Sequence, residues 1–160
     1  MKTLVAIDGS ECSMRALEYV ASRDWNDDDQ FMVLNVVEPL PADLGVGIVP
    51  PPTMPGSIED RLYAESAEIS GIGGAKIQQA HPKNLVEVRV ASGIVAETIC
   101  DSAASWNADL IVLGSHGRKG LSHFLLGSVA EEVLKSSPCS VEVVKEKDEI
   151  TRGGGAGLSQ

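Results

Sequence analysis

The sequence predicts a single α/β domain in which helices cover both faces of a parallel β-sheet. The chain has 160 residues, of which 43% are hydrophobic, and this length suits one hydrophobic core. Short apolar segments rich in β-branched residues alternate along the chain with segments of helical periodicity. Because each crossover between parallel strands needs a covering helix, the alternation predicts a doubly wound sheet.

The first strand and the first helix are separated by a turn. Residues 3–7 form an apolar run that stops at Asp8-Gly9-Ser10, which is typical of a buried strand ending in a turn. Residues 12–21 place apolar side chains three and four positions apart, which predicts a helix with Ser10 as its N-cap and an end near Arg23. The acidic stretch 24–29 lies between two periodic segments, and we interpret it as a solvated turn rather than a cation site.

Four later segments complete the predicted sheet. Residues 31–37 and 86–90 are the second and third strands, and 109–113 and 141–144 are the fourth and fifth.

The second helix is predicted over residues 57–79. It begins with the capping pattern Ser57-x-x-Asp60, although Gly71, Gly73 and Gly74 weaken the prediction for its second half.

The third and fourth helices follow from apolar residues at helical spacing. Val95, Ile99, Ala103 and Trp106 mark the third helix. Residues 129–134 mark the fourth, and the pattern Ser128-x-x-Glu131 predicts Ser128 as its N-cap.

The net charge, the lack of long apolar runs and the cysteine content disfavour several classes of ligand, location and structural site. The formal net charge of −10 opposes binding to nucleic acids and to anionic lipid surfaces. No apolar run suits a signal peptide or a membrane span, so we expect a cytoplasmic protein. Cys12, Cys100 and Cys139 are scattered and odd in number, which predicts neither a disulfide framework nor a zinc site.

Two segments lie outside the alternating pattern. Residues 39–56 contain six prolines among apolar residues, which predicts an irregular loop. This loop could be a lid, a docking surface for a protein partner, or an insertion without a role. Residues 146–160 are glycine-rich and lack an apolar face, which predicts a disordered tail after a domain at 1–145.

The turn after the fourth strand, residues 114–128, is the strongest candidate binding segment. It holds two cations, two histidines and no acid in an otherwise acidic chain, which favours an anionic ligand. Gly114 and Gly117 permit positive φ or a close backbone approach, and Gly127-Ser128 lies at a helix N-terminus. These features are compatible with binding of a phosphate group at the N-terminus of the fourth helix. The alternative is that Ser128 is only a structural N-cap.

The spacing Gly114-x2-Gly117-x9-Gly127-Ser128 resembles the nucleotide-loop signature of the universal stress protein family. Residues 5–10, 108–113 and 125–130 also resemble this family, and the resemblance covers about residues 1–145. It implies a Rossmann-like parallel sheet of five strands in the order 3-2-1-4-5. It also implies that ATP binds together with Mg²⁺ between strands one and four, where the winding direction reverses. AMP or ADP could take the place of ATP.

The resemblance also implies a set of site residues. Asp8 would hydrogen-bond the ribose. Arg118 and Lys119 are not included in the predicted site, because the family motif does not fix the residue type at these two positions. The adenosine contacts would be Ala6, Ile7, Asp8, Val36, Leu113 and Gly114, and the phosphate contacts would be Gly117, Gly127, Ser128 and Val129.

Two segments depart from the family pattern. Gly93-Ile94-Val95 stands where relatives often carry an acidic or polar residue and a proline, and Cys139-Ser140-Val141 stands where Cys-Pro-Val is frequent. The second departure adjoins strand five, which the family usually pairs across a homodimer axis. A homodimer through residues 141–145 is expected, because this strand would otherwise be an exposed apolar edge.

Three functions remain open at this stage. The first is an ATP-binding regulatory module of the stress response. The second is a slow ATP hydrolase or phosphotransferase, although the sequence shows no P-loop and offers only His116 and His123 as loop acids or bases. The third is a dimeric interaction protein without nucleotide. A nicotinamide dehydrogenase is disfavoured, because Asp8-Gly9-Ser10-Glu11 replaces the glycine fingerprint.

Overall fold

The computed structural model describes residues 1–39, 56–117 and 126–145. Most of the predicted proline-rich loop lies outside the described residues. The same is true of Arg118, Lys119 and His123, and of the predicted tail.

Within the described residues the chain forms alternating strands and helices, as predicted. The elements are β1 (Lys2–Ala6), α1 (Glu11–Ser22), β2 (Gln30–Val37), α2 (Ile58–Ala80), β3 (Leu85–Ser92), α3 (Val95–Trp106), β4 (Leu110–Gly114), α4 (Ser128–Ser136) and β5 (Ser140–Val144). The strand bounds differ from the predicted ones by one or two residues.

The five strands form one parallel sheet in the order β3-β2-β1-β4-β5. The doubly wound fold and the strand order implied by the resemblance are therefore confirmed. Because the order reverses at β1, the carboxyl ends of β1 and β4 flank the crevice in which such sheets bind ligands.

Each face of the sheet packs against its own pair of helices. On one face, side chains such as Leu4 and Met32 pack with Ile99 of α3 and Val133 of α4. On the other, Phe31 and Val33 pack with Leu17 of α1 and Ile77 of α2. Alternate residues of each strand supply the two cores, which is why the strands read as continuous apolar runs.

The second half of α2 is helical, although its glycines weakened that prediction. Gly73 and Gly74 are buried against the sheet. A Cβ atom at Gly73 would lie 2.8 Å from Ile7 Cδ1, and one at Gly74 would lie 2.3 Å from Val88 Cγ2. These glycines therefore let the helix approach the sheet closely, and that packing outweighs their low helix propensity.

The helix N-termini confirm two predicted caps and correct a third. The Ser10 side chain accepts a hydrogen bond from Ser13 N, and Ser57 and Asp60 form a complete capping box. The prediction of Ser128 as an N-cap is wrong, because Gly127 is the N-cap and Ser128 is the first helical residue. The Gly127 N–H donates to the Ser115 carbonyl at 2.8 Å, and this bond fixes the extended residue from which the helix starts.

The acidic stretch after α1 is a turn, as predicted. Asp29 is 4% exposed and accepts hydrogen bonds from the Asn26 N–H and from the Met1 amino group. None of the helices in the described ranges combines the length and the apolar character needed to cross a membrane.

Candidate functional site

A cavity of about 770 Å³ lies at the carboxyl ends of β1, β2 and β4. This volume is in the range of small-molecule sites, roughly 300–1,000 Å³. Segments after β1 and β4 form one part of its wall, and the ends of β2, α2, α3 and α4 form the rest. The cavity therefore occupies the position that the reversal of strand order predicts.

All ten residues that the sequence singled out line this one cavity. They are Ala6, Ile7, Asp8, Val36, Leu113, Gly114, Gly117, Gly127, Ser128 and Val129. Residues separated by more than a hundred positions meet here, because the ends of parallel strands share one edge of the sheet.

Hydrogen bonds at the start of α1 hold Asp8, which lines the cavity. Its Oδ1 accepts the Ser10 N–H at 2.9 Å, and its own N–H donates to Ser13 Oγ at 3.2 Å. Gly9 between them has φ of +80°, a conformation that favours glycine. The turn therefore fixes the Asp8 backbone while its carboxylate lines the cavity.

The two glycines of the β4 turn have different roles. A Cβ atom at Gly114 would lie 2.6 Å from the backbone of Cys12, so Gly114 permits the contact between β4 and α1. A Cβ atom at Gly117 would lie 2.9 Å from Asp8 Oδ2. The structure gives neither glycine a positive φ, so close approach, rather than a left-handed backbone, explains both residues.

The N-terminus of α4 opens on the cavity. The bond from Glu131 N to the Gly127 carbonyl, at 2.9 Å, begins the helix, so the N–H groups that precede Glu131 have no helical partner. Ser128 and Val129 both line the cavity. With the partial positive charge of the helix dipole, this end suits an anion.

His116 also lines the cavity, next to Gly117. Its Nδ1 lies 3.0 Å from Ser115 Oγ, and its carbonyl accepts a hydrogen bond from Ser10 Oγ at 3.5 Å. Its Nε2 is buried without a hydrogen-bond partner among the described residues. These contacts tie the β4 turn to the start of α1.

The comparison with protein families agrees with this architecture. The model of the universal stress protein family matches residues 1–145. The chain belongs to this family.

Curated relatives match over almost the whole chain. This universal stress protein is 30% identical to the universal stress protein Sll1388 of Synechocystis over 153 residues, covering 90% of this chain and 97% of the relative. It is 31% identical to the universal stress protein MJ0531 of Methanocaldococcus jannaschii over 148 residues, covering 91% and 82% respectively.

Solved structures of the family share the fold. A family protein from Arabidopsis thaliana with AMP bound has a TM-score of 0.64 at 17% identity, covering 96% of each chain. A universal stress protein in complex with cAMP has a TM-score of 0.61 at 21% identity, covering 91% of this chain and 96% of its own.

Sequence reasoning missed several cavity residues in this universal stress protein. Gly93, Ile94 and Val95, the segment that departs from the family pattern, line the cavity at the start of α3. Asn35 on β2 and Ser66 on α2 also line it and are buried. Asn35 was detectable as the one polar residue within the apolar run 31–37. Ser66 carried no such signal, because serine is common on helix surfaces.

Proposed function

We propose that this universal stress protein binds ATP, or AMP or ADP in its place, and acts as a nucleotide-dependent regulatory module of the stress response. One observation carries the proposal: a single cavity combines the Asp8 carboxylate with the open N-terminus of α4. The first can accept hydrogen bonds from a sugar, and the second can donate them to phosphate.

The phosphate end of the ligand belongs at α4. The N–H groups at this helix end and the Ser128 hydroxyl would donate to phosphate oxygens, with Gly117 permitting close approach. Each charge-assisted hydrogen bond contributes about 1.5–3 kcal/mol, and the helix dipole adds about 0.3–1 kcal/mol. Mg²⁺ would arrive with the nucleotide, because this ion commonly binds phosphate oxygens and keeps several waters rather than occupying a site made only of protein ligands.

The base end belongs on the other side of β1, at β2. The sheet order places β2 and β4 on opposite sides of β1, about 10 Å apart at the usual strand spacing. Ile7, Val36, Ile94 and Leu113 offer apolar surface to a base. We therefore assign the ribose to Asp8, which follows β1 between these two strands.

The relatives solved with AMP and with cAMP support an adenine nucleotide as the ligand class. Hydrolysis is proposed only as a slow side reaction, since fast phosphoryl transfer needs a positioned base and neutralisation of the leaving phosphate. We also propose a homodimer through β5, a protein partner at residues 39–56, and a cytoplasmic location.

Calorimetric titration of nucleotide-stripped protein with ATP and magnesium tests the proposal. We expect saturable micromolar binding, and a rise in stability of about 2.7 kcal/mol at 100 times the dissociation constant. Absence of both heat and stabilisation would contradict the proposal and favour a dimeric interaction protein.

Replacing Asp8 tests the ribose assignment. Asp8→Asn keeps a side-chain oxygen that can accept the Ser10 N–H, so the turn is preserved while the charge is removed. We expect weaker ATP binding, with a smaller loss for nucleotides modified at the 2′ and 3′ hydroxyls. Equal losses for both ligands would contradict a ribose contact.

A further inference from the structure

β3 is an edge strand that carries exposed apolar side chains. In the described part of the chain its outer side has no neighbouring strand, because β3 ends the sheet order. Leu85 is 63% exposed and Val88 is 45% exposed. A Cβ atom at Gly74 would lie 2.3 Å from Val88 Cγ2, so α2 approaches this valine through a glycine, which has no side chain to cover it. An open apolar edge is a surface on which another strand can pair.

A backbone hydrogen bond shows which residues of β3 point outward. The Gly93 N–H, directly after the strand, donates to the Val37 carbonyl of β2 at 3.1 Å. Because the backbone groups of successive residues point to opposite sides of a strand, the odd-numbered residues of β3 bond to β2. The N–H and carbonyl groups of Val86, Val88 and Val90 therefore point to the free edge. These three residues offer the backbone groups that an added strand would bond.

The side chains of β3 differ between the two faces of the sheet. Val86 packs with the core on the side of α1 and α2, and Val88 and Val90 lie on the same face by alternation. On the opposite face, Glu87 and Arg89 form an ion pair of 2.6 Å, and both side chains are partly exposed. This pair has no net charge, although the chain as a whole carries −10. The edge therefore lacks the excess of one charge sign that keeps identical edges apart.

A second copy of β3 in antiparallel orientation matches this strand when Val88 lies opposite its own equivalent. The outward backbone groups of the valines then meet in the hydrogen-bonded pairs of an antiparallel ladder, and the charged residues meet in the pairs with closer side chains. A two-fold axis at Val88 forms the contact between opposite charges twice. Residues of matching apolar character or of opposite charge face each other in the pairs Leu85–Ala91, Val86–Val90, Glu87–Arg89 and Val88–Val88.

We propose that β3 is a second self-association surface, on which β3 of another copy of this chain pairs in antiparallel orientation about a two-fold axis at Val88. The opposite charges of Glu87 and Arg89 favour a second copy over an unrelated strand and select this register. The contact lies at the sheet edge opposite β5, so it is separate from the proposed homodimer. One strand from each copy makes a small interface, so this association appears as the protein concentration rises.

The first test reverses each charge separately. Glu87→Arg and Arg89→Glu each place like charges opposite one another in the proposed register, so each should weaken this association by about tenfold or more. Sedimentation velocity over a concentration series measures the change, with circular dichroism to confirm folding. The two variants shift the net charge in opposite directions, so a loss in both separates this contact from general repulsion between acidic chains. Wild-type association in both variants would overturn the proposal.

The second test restores the complementarity. An equimolar mixture of the two variants again brings opposite charges together, and the double variant Glu87→Arg/Arg89→Glu does so within one kind of chain. Both samples should recover association close to that of the wild-type protein. If neither associates more strongly than the single variants, pairing of these side chains between copies is wrong.

The β3 contact and the proposed β5 homodimer fail in different ways. Loss of the β3 contact should remove the species larger than the dimer and leave the dimer itself. A wild-type dimer that neither grows with concentration nor responds to the charge reversals would overturn only the β3 proposal and leave this edge unpaired or open to a different partner. A protein that stays monomeric throughout would contradict both interfaces. Nucleotide binding is independent of these results, because no residue of β3 lines the cavity.

Discussion

At the scale of single residues, the contact between Asp8 and Gly117 links the two ends of the candidate site. Asp8 follows β1 and Gly117 follows β4, and a Cβ atom at Gly117 would lie 2.9 Å from Asp8 Oδ2. Any larger residue at 117 therefore disturbs the group proposed for the ribose as well as the surface proposed for the phosphates.

We expect Gly117→Val to weaken ATP binding at least tenfold, or about 1.4 kcal/mol. The valine side chain would displace the Asp8 carboxylate and block the approach of phosphate to the backbone. Calorimetric titration of the folded variant measures the loss. Gly71→Ala is the control, because a Cβ atom there meets nothing within 4 Å and Gly71 lies outside the cavity. Unchanged affinity in Gly117→Val would contradict this placement.

At the scale of secondary-structure elements, the glycines of α2 divide into two groups. Gly71 is exposed on the helix, whereas Gly73 packs against Ile7, which follows β1, and against Val33 of β2. We expect Gly71→Ala to stabilise the protein by about 0.5–1 kcal/mol, because alanine has the higher helix propensity. Gly73→Val should destabilise it by about 1–3 kcal/mol through overpacking. Urea denaturation measures both, and effects of the same sign would contradict the distinction.

The contact between α1 and β5 predicts a pH dependence. The Tyr19 hydroxyl donates a 2.6 Å hydrogen bond to Glu142, and this bond, together with burial, raises the pKa of Tyr19. The contact therefore stabilises the fold fully below the pKa of an unfolded tyrosine, and this stabilisation is lost as pH rises through the folded-state pKa. At alkaline pH, α1 and β5 should lose this link.

We expect Glu142→Gln to lower the pKa of Tyr19 towards its ordinary value, because the negative acceptor is removed. The chain has two tyrosines, so the titration of tyrosinate absorbance is measured with Tyr63→Phe in both proteins. Identical titration curves with and without Glu142 would contradict the contact.

At the scale of the whole molecule, the sheet has two edge strands that differ in their proposed use. β3 and β5 are the edges. Val88 on β3 is 45% exposed, whereas Val141 on β5 is partly buried against the core. An unpaired edge can accept another strand, and the proposed homodimer uses β5.

We expect Val141→Lys to shift the protein from dimer to monomer, because a charge at the β5 edge opposes strand pairing between copies. Val88→Lys makes the same change at the β3 edge and should leave the dimer intact. Sedimentation velocity over a concentration series measures both, with circular dichroism to confirm folding. Dissociation by Val88→Lys alone would assign the interface to β3, and a monomeric wild-type protein would contradict the dimer.

The element order, the parallel sheet and two helix caps could be predicted from the sequence. Ser10 and Ser57 bond to N–H groups three residues away, so the residues of one helical turn contain the whole interaction. Apolar runs and the spacing of apolar residues in helices likewise depend only on residues that are close together in the sequence. The turn after β4 was a candidate because the carboxyl ends of parallel strands share one edge of the sheet, whereas the individual site residues were implied by the family resemblance.

Tertiary structure decided what depends on residues far apart in the chain. Gly127 became the N-cap in place of Ser128 because its N–H bonds to Ser115, and α2 tolerates Gly73 because the sheet packs against it. The sequence alone determined which elements form and in what order, since neighbouring residues control local hydrogen bonding and periodicity. Only the packed structure showed that Asn35 lines the cavity and that its Nδ2 is buried without a hydrogen-bond partner among the described residues, because burial and pairing are properties of the assembled fold.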